Sequence, residues 1–399
     1  MPPAGLPIEF LLFGATLLAV ALWHDHSLTA ALLGLLVITL YKILITGFGA
    51  ATGLAGLGHH LAHEWVTLAN LFGLLVGFAL IARHFELSEL PRKLPHYLPD
   101  NWTGGLWLLF GIFVISSFLD NIAAALIGGA LAHSVYRGRV RIGYLAAIVA
   151  AANAGGAGSV IGDTTTTMIW IHGKAPSEVF HAYIGAIAAL LVCGIPAALA
   201  QQRHAPIMAD TPKDTRVDLP RILIVLLVLA LAVAANVIAN THQPQLLERL
   251  PLLGAVVSGS LLLSVPLRRP DWTVLPSALR SALFLLALVT AASMMPVERL
   301  PTPTWHSTAG IGIVSALFDN IPLTALALRQ GGYDWGVLAY AVGFGGSMIW
   351  FGSSAGVAVT ALYPEARSAR RWLREGWYVA LSYVAGFAAL LLLAGWRPD

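Results

Sequence analysis

Long apolar stretches separated by short polar loops run along almost the whole chain. Most of them approach the roughly 20 residues that a helix needs to cross the hydrocarbon core of a bilayer. The predicted spanning segments lie near residues 8–23, 27–47, 66–84, 142–171, 180–201, 220–240, 252–267, 275–296, 335–362 and 375–396. The pattern therefore predicts an all-α protein whose helices lie in a membrane.

Two further apolar stretches, at 105–134 and 306–329, carry polar residues at their centres. Each fits a re-entrant hairpin that enters and leaves the membrane on one face, where protein or water covers the non-helical tip. If the loop before the first hairpin is cytoplasmic, most loop lysines and arginines fall on the cytoplasmic side, as the positive-inside rule requires. The asymmetry would collapse if only one hairpin crossed fully. Both termini are then predicted to lie outside.

The polar centres belong to a motif that occurs twice. Residues 116–122 read SSFLDNI, and residues 315–321 read SALFDNI. Each copy is followed by two glycines, five residues and a third glycine, at 155–162 and at 345–352. Duplicated halves with interrupted hydrophobic segments in corresponding places are typical of secondary transporters.

Five crossings and one hairpin in each half would make the two halves antiparallel. We therefore divide the chain into a first inverted repeat at 1–201, a cytoplasmic linker at 202–219 and a second inverted repeat at 220–399. The predicted fold is an all-α membrane protein with two inverted repeats of about five transmembrane helices plus one re-entrant hairpin each. Discontinuous helices are expected to build the binding site between the repeats.

The composition excludes a soluble fold. The chain is 57% hydrophobic and 11% charged, whereas soluble domains carry about 25% charged residues. A single cysteine, Cys193, excludes a disulfide framework and a cysteine-rich metal site. Because topology accounts for the basic residues, no nucleic acid partner is expected. The expected surroundings are a lipid bilayer, and the expected ligands are small inorganic ions.

Three carboxylates are predicted at membrane depth, on Asp120, Asp163 and Asp319. A carboxylate there costs several kcal/mol, so such groups are usually functional and face the interior of the helix bundle. We assign these three acids as ligands of a sodium ion. For Asp163, which precedes four threonines, capping a helix N-terminus is an alternative role.

The residues around these acids supply further hard oxygen atoms. The other predicted ligands are Asn121, Asn153, Gly155, Gly156, Thr164, Thr165, Asn320, Gly345, Gly346, Ser353 and Ser354. Carboxylate, amide, hydroxyl and backbone carbonyl oxygens can replace the water around a small hard cation. The glycines permit unwound backbone whose carbonyls point into a cavity, and close helix packing is the alternative reason for them.

These motifs resemble the NhaD-type sodium/proton antiporters of the ion transporter superfamily, which also holds arsenite, citrate and dicarboxylate carriers. The matching segments are 119–121 (LDN), 153–166 (NAGGAGSVIGDTTT), 315–322 (SALFDNIP), 345–347 (GGS) and 352–357 (GSSAGV). The resemblance covers nearly the whole chain. It implies paired scaffold and transport domains, hairpin tips that meet at mid-membrane, and often a homodimer. The dicarboxylate branch carries Ser-Asn-Thr at both tips, where this chain carries Asp-Asn.

The sequence therefore predicts a multi-pass protein of the bacterial inner membrane that exchanges sodium or lithium for protons. Only the transported ions are expected to bind, with no cofactor and no enzymatic reaction. A sodium-coupled carrier of citrate, dicarboxylate or another anion is the alternative, because bound sodium and helix N-termini also supply positive potential. A channel stays open as a further alternative. An intramembrane aspartyl protease is disfavoured, since residues 160–163 (VIGD) lack the first glycine of Gly-x-Gly-Asp.

A cluster of His59, His60, His63 and Glu64 precedes the third predicted segment, on the predicted outer side. Histidines four positions apart on a helix can bind a metal. Histidine also titrates near neutrality, so an external pH sensor is a second reading. A solvated interfacial cluster is the third reading and the one that the sequence favours, because no third strong metal ligand is evident.

Overall fold

The computed structural model describes residues 7–23, 26–48, 51–93, 97–208 and 216–399, and these residues form helices with no strand among them. The expectation of an all-helical protein is confirmed. Part of the predicted linker at 202–219 lies outside the described residues, because 209–215 are not described.

The helices of the first half are numbered in chain order. They are α1 (Ile8–Leu22), α2 (Ser27–Tyr41, continued by a π-helix at Lys42–Thr46), α3 (Gly53–Glu86), α4 (Leu90–Lys93), α5 (Trp102–Ser116), α6 (Asn121–Val135), α7 (Ile142–Ala157), α8 (Thr164–Ile171), α9 (Ser177–Phe180) and α10 (Ala182–His204).

The second half continues the numbering. Its helices are α11 (Leu219–His242), α12 (Pro244–Arg249), α13 (Leu252–Ser264), α14 (Leu275–Ser293), α15 (Trp305–Ser315), α16 (Asn320–Gln330), α17 (Trp335–Gly345), α18 (Ser354–Leu362), α19 (Ala369–Glu375) and α20 (Trp377–Leu393). Short 3-10 turns at Trp272–Val274, Val297–Arg299, Gly346–Met348 and Pro364–Ala366 connect some of them.

Several helices are long and apolar enough to cross a bilayer. Within the described residues they are Ser27–Thr46, Gly53–Glu86, Ser177–His204, Leu219–Ala239 and Trp272–Ser293, and α19 with α20 forms a sixth candidate that bends by 65°. The chain is therefore a multi-pass membrane protein. By contrast α5 and α6 have 15 residues each, or roughly 22 Å of helix, which is less than the ~30 Å hydrocarbon core.

Helix α3 is much longer than the sequence predicts. The expected span began near residue 66, after the polar run around His59 and His60, but the helix begins at Gly53. The added turns stay helical because Leu57 packs against a hydrophobic cluster that includes Leu71 and Leu288. The histidine cluster thus lies within α3 and not before it.

Helices α7 and α17 form the centre of the molecule, and every residue of both is buried. Helix α7 is rich in alanine and glycine (IGYLAAIVAAANAGGA), and small side chains let helices approach closely within a membrane. Both helices stop inside the protein. The α-helix is broken between α7 and α8 and again between α17 and α18. Each break lies at one of the glycine pairs in the sequence.

Polar contacts made by two residues of helix α3 define two ends of the molecule. At the first, which we call the Arg83 end, Arg83 Nε donates to Asp271 Oδ2 at 2.8 Å. At the second, which we call the Glu64 end, Arg329 Nη1 lies 3.0 Å from Glu64 Oε1. Lys174 pairs with Asp399 at the Glu64 end as well.

Both helix pairs with the Asp-Asn motif have their outer ends held together. The first pair starts after Asp100, whose carbonyl accepts from Gln202 Nε2 at 3.5 Å, and ends at Val135, whose carbonyl accepts from Met208 N at 2.8 Å. In the second pair, Gln330 Nε2 donates to the carbonyl of Pro301 at 2.7 Å. In each pair the motif therefore lies at the inner tip.

Candidate functional site

The Asp163 carboxylate is the meeting point of the two motif copies. It is 2% exposed and precedes α8 without making a side-chain capping bond to that helix. Asn121 Nδ2 donates to Asp163 Oδ1 at 2.9 Å, and Asn320 Nδ2 donates to Asp163 Oδ2 at 3.3 Å. One carboxylate thus binds the asparagine of both copies, although these lie almost 200 residues apart in sequence.

Asn153, on the buried helix α7, connects this carboxylate to the second break. Its Oδ1 accepts from Asn121 Nδ2 at 3.0 Å. Its Nδ2 donates to Ser347 Oγ at 2.9 Å and to Ser353 Oγ at 3.1 Å. All of these side chains are buried, so a continuous polar network runs through the centre of the protein.

The capping role falls to the other two acids. Asp120 Oδ2 accepts from the backbone N–H of Ile122 at 3.1 Å, and Asp319 Oδ1 accepts from that of Ile321 at 3.1 Å. Each carboxylate therefore begins the helix that follows its hairpin tip. Asp319 Oδ2 also accepts from Ser354 Oγ at 2.7 Å. Capping was an expected alternative for Asp163, and the structure places it instead at Asp120 and Asp319.

Hydroxyl groups complete the surroundings of Asp163. Thr166 and Thr167 donate to the Asp163 carbonyl oxygen at 2.9 Å each, which fixes the start of α8. The hydroxyl of Thr165 is buried beside the Asp163 carboxylate. On the other side, Ser353 caps α18 by accepting from Gly356 N at 3.3 Å.

A cavity of about 320 Å³ reaches this site from the Arg83 end. The predicted site residues that line it are Asp120, Asn121, Asp163, Thr164, Asn320 and Ser354. Arg83 and Glu86 line its outer part, and Ser277 and Ser281 of α14 line one wall. A neighbouring cavity of about 280 Å³ borders Asp319 and shares Ser281 and Ser354 with the first.

The four predicted glycines line neither cavity. A Cβ on Gly156 would lie 2.7 Å from the Gly162 carbonyl, and a Cβ on Gly346 would lie 2.7 Å from the Gly352 carbonyl. A Cβ on Gly155 or Gly345 would collide with the backbone of the facing helix, α5 or α15. The structure therefore supports the packing alternative for these glycines, which let the broken helices touch the hairpins.

The sequence did not assign a role to several residues of this network. Ser347 follows the second glycine pair and accepts from Asn153. Thr166 and Thr167 belong to the threonine run, and their hydroxyls reach backwards to the break. Ser277 and Ser281 lie four positions apart on α14. Residues at that spacing share one face of a helix, so the sequence contained a signal that one face of α14 is polar.

The described residues contain no group of three or more His, Cys, Asp or Glu side chains placed to hold a metal ion. The three acids reach different partners: Asp163 is bonded by neutral amides, Asp120 lines the same cavity, and Asp319 borders the neighbouring one. In the histidine cluster, His60 Nε2 lies 2.9 Å from Ser293 Oγ, whereas His59 and His63 are exposed.

The chain is similar in sequence to one known protein family and to several named proteins. A family model described as "Citrate transporter" matches residues 12–345. "Sodium/proton antiporter 1" of Arabidopsis thaliana is 29% identical over 325 residues, which cover 72% of this chain and 55% of that protein. "Na(+)/H(+) antiporter NhaD" of Vibrio parahaemolyticus is 27% identical over 341 residues, covering 71% and 81%. The protein of that name from Alkalimonas amylolytica is 27% identical over 297 residues, covering 62% and 60%. The chain thus spans little more than half of the Arabidopsis relative.

Broken helices, buried polar tips and an internal cavity are features typical of membrane transport proteins. The family match extends over most of the chain, and the chain belongs to the citrate transporter family. The expected resemblance to NhaD-type sodium/proton antiporters of the ion transporter superfamily is confirmed by the relatives.

Proposed function

We propose that this protein is a secondary active transporter that exchanges sodium or lithium for protons. The observation that carries the proposal is the Asp163 carboxylate, buried at the inner end of a cavity and bonded by the asparagines of both motif copies. The names of the relatives support the same activity.

The chemistry of exchange follows from one buried acid. A bare carboxylate in a low-dielectric interior is costly, and a bound proton or a bound cation removes that cost. The proton and the cation compete for the same oxygens. The site can therefore cross the membrane with either one bound, whereas crossing with neither bound is unfavourable. When a cation enters, Asn121 and Asn320 can turn their amide oxygens toward it, since each amide carries both a donor and an acceptor. Thr165 and the carboxylate supply further oxygens.

The wider architecture of the proposal is a pair of inverted repeats, at 1–201 and 220–399, each with a re-entrant hairpin. Three observations support it. The helices α5 and α6 are too short to span a bilayer, the outer ends of each hairpin are hydrogen-bonded at one end of the molecule, and the breaks of α7–α8 and α17–α18 occupy corresponding places. Paired scaffold and transport domains and a homodimer belong to the same proposal.

Within this proposal the structure has the geometry of a state open to one side. The cavity leads from Asp163 to Arg83 and Glu86. The Glu64 end is bridged by the Glu64–Arg329 ion pair and by the contact of His60 with Ser293. We assign the Arg83 end to the cytoplasm of a bacterial inner membrane, with both termini outside, because that choice satisfies the positive-inside rule.

Citrate or another anion is the second candidate substrate, and the description of the family model favours it. The cavity argues against an anion that binds alone. Two carboxylates, Asp120 and Asp163, line its inner part. The one arginine that the structure places on its wall, Arg83, is already bonded to Asp271 and Glu86 at 2.8 and 2.9 Å. An anion would therefore need the positive charge of co-bound sodium.

Proton release tests the proposed competition without requiring transport. Sodium chloride added to purified protein in weak buffer should acidify the solution, because sodium displaces a proton from Asp163. Choline chloride at the same concentration should leave the pH unchanged. Sodium that binds without proton release would favour the sodium-coupled anion carrier, and citrate should then increase sodium affinity.

Topology gives an independent prediction. In a Cys193→Ala background, single cysteines at Arg139 and Arg370 should react with an impermeant maleimide only from the cytoplasm, and one at Glu298 only from outside. Cysteines at Arg83 and Arg139 should react from the same side, because the α5–α6 pair enters and leaves on one face. Labelling of these two positions from opposite sides would show that the pair crosses the membrane.

A further inference from the structure

A separate cavity of about 730 Å³ lies at the Arg83 end, where α7 and α20 begin and α10 ends. Its charged lining consists of Arg141, His204, Arg371 and Arg374 with Glu365 and Glu375. Val140 and Pro196 contribute apolar walls, and Trp377 and Tyr378 contribute aromatic ones. None of these residues belongs to the ion site around Asp163.

The arginines in this cavity have unused capacity to bind an anion. Arg371 Nε and an Arg374 guanidinium nitrogen share the single carboxylate of Glu375, at 3.5 and 3.9 Å. Within the part of the chain that the structure describes, the half-buried Arg141 guanidinium has neither an ion pair nor a hydrogen bond. Each guanidinium carries five N–H donors, whose fork geometry matches carboxylate or phosphate oxygens.

An apolar surface continues directly from the cavity. On α10, Leu191 is 49% exposed and Ile195 is 38% exposed, immediately before Pro196. On α20, Trp377 at the cavity edge is 58% exposed, and Leu381 follows one turn later with 51% exposed. Tryptophan and tyrosine favour the level of the lipid headgroups, where one part of the ring is apolar and the other is wet. The site thus combines a cationic cavity with an exposed apolar surface beside it.

We propose that this cavity binds the phosphate headgroup of an anionic phospholipid, with the acyl chains lying along α10 and α20. Basic pockets between transmembrane helices on the cytoplasmic side are suited to anionic headgroups. Inorganic phosphate has the same charged chemistry but would leave the exposed apolar flank unused. A phospholipid therefore accounts for both the cationic cavity and the exposed apolar surface.

Helix α19 connects this cavity to the ion site through hydrogen bonds. Helix α19 carries Arg371 and Arg374 on its exposed side, and its Trp372 is fully buried. Trp372 Nε1 donates to the carbonyl oxygen of Ser347 at 3.2 Å, and the Ser347 hydroxyl accepts from Asn153. A lipid that orders α19 therefore also steadies the second break. Any effect on exchange rests on the proposed function, whereas lipid binding does not.

Thermal unfolding tests the lipid site directly. The full chain is reconstituted in phosphatidylcholine vesicles with increasing fractions of phosphatidylglycerol, and the unfolding midpoint is followed. The wild type should be stabilised in a saturable way. In the double variant Arg141→Gln/Arg371→Gln the phosphatidylglycerol fraction for half stabilisation should rise roughly 30-fold, since each arginine near an anionic surface contributes roughly fivefold. Arg374 remains to neutralise Glu375, so folding in pure phosphatidylcholine should be unchanged.

The double variant Arg139→Gln/Arg203→Gln is the matched control, because it removes two exposed arginines outside the cavity from the same end. It should respond to phosphatidylglycerol like the wild type. An equal loss in the control would reduce the effect to general surface charge and overturn the site. Equal stabilisation by inorganic phosphate in phosphatidylcholine would overturn the lipid assignment, as would a wild type that phosphatidylglycerol does not stabilise.

Discussion

Replacing Asp163 with asparagine should reduce sodium-driven proton movement to the level of protein-free liposomes. The change removes the one buried carboxylate that both motif copies contact, and with it the group that carries the proton in the proposed exchange. Asparagine keeps the size of the side chain and can still pair with Asn121 and Asn320 after amide rotation. The protein should therefore remain folded, with an unfolding midpoint close to that of the wild type.

Two further variants separate the charge from other effects. Asp163→Glu should retain partial exchange with a changed preference between sodium and lithium, because one added methylene shifts the oxygens. Asp334→Asn makes the same chemical change at another buried acid, which bonds His181 at the Glu64 end and lines neither central cavity. It should leave exchange intact. Normal pH-dependent exchange by Asp163→Asn would remove the charge from the mechanism and favour the anion carrier.

Replacing Gly345 with alanine should destabilise the protein by about 1–3 kcal/mol, the usual cost of overpacking a tight contact. The added methyl group would collide with the backbone of α15 at Gly312. Backbone atoms cannot move aside as a flexible side chain can. Chemical denaturation in detergent measures the change, and the first half offers the same test at Gly155, which faces α5 at Phe113.

The matched control is Gly310→Ala, on the helix that Gly345 contacts. Apart from the neighbouring backbone of its own helix, no described heavy atom lies within 4 Å of the added methyl group there. Because alanine favours helix over glycine by up to about 1 kcal/mol, this variant should be as stable as the wild type or more so. Gly111→Ala plays the same part on α5. Equal effects at Gly345 and Gly310 would contradict the packing role of the motif glycines.

Local sequence signals were sufficient to place the interruptions in the central helices. A glycine pair removes the steric restriction on the backbone, and a serine, threonine or aspartate after the third glycine can start a new helix. Those features are contained within about ten residues, so they can be read without knowledge of the fold. The preference of aspartate for the start of a helix fits Asp120, Asp163 and Asp319 alike and does not tell them apart.

The residue roles that local sequence rules leave undecided depend on contacts between distant parts of the chain. The Asp163 carboxylate accepts from Asn121 and Asn320, and their positions depend on how the two halves meet. Ser347 and Ser353 join the network for the same reason, through Asn153. Helix α3 begins thirteen residues before its predicted start because Leu57 finds a hydrophobic partner surface. None of these contacts leaves a periodic trace in a single sequence.

Ion-driven pH change in proteoliposomes tests exchange most directly. Wild-type protein is reconstituted with a pH-sensitive dye inside the vesicles, and sodium, lithium, potassium or citrate as its choline salt is added outside. Sodium and lithium should each alkalinise the lumen, since inward movement of the cation drives protons out. Potassium and citrate should not, and Asp163→Asn should respond to none of them. A lumen that stays at constant pH with sodium, while labelled citrate accumulates in a sodium-dependent way, would contradict sodium/proton exchange.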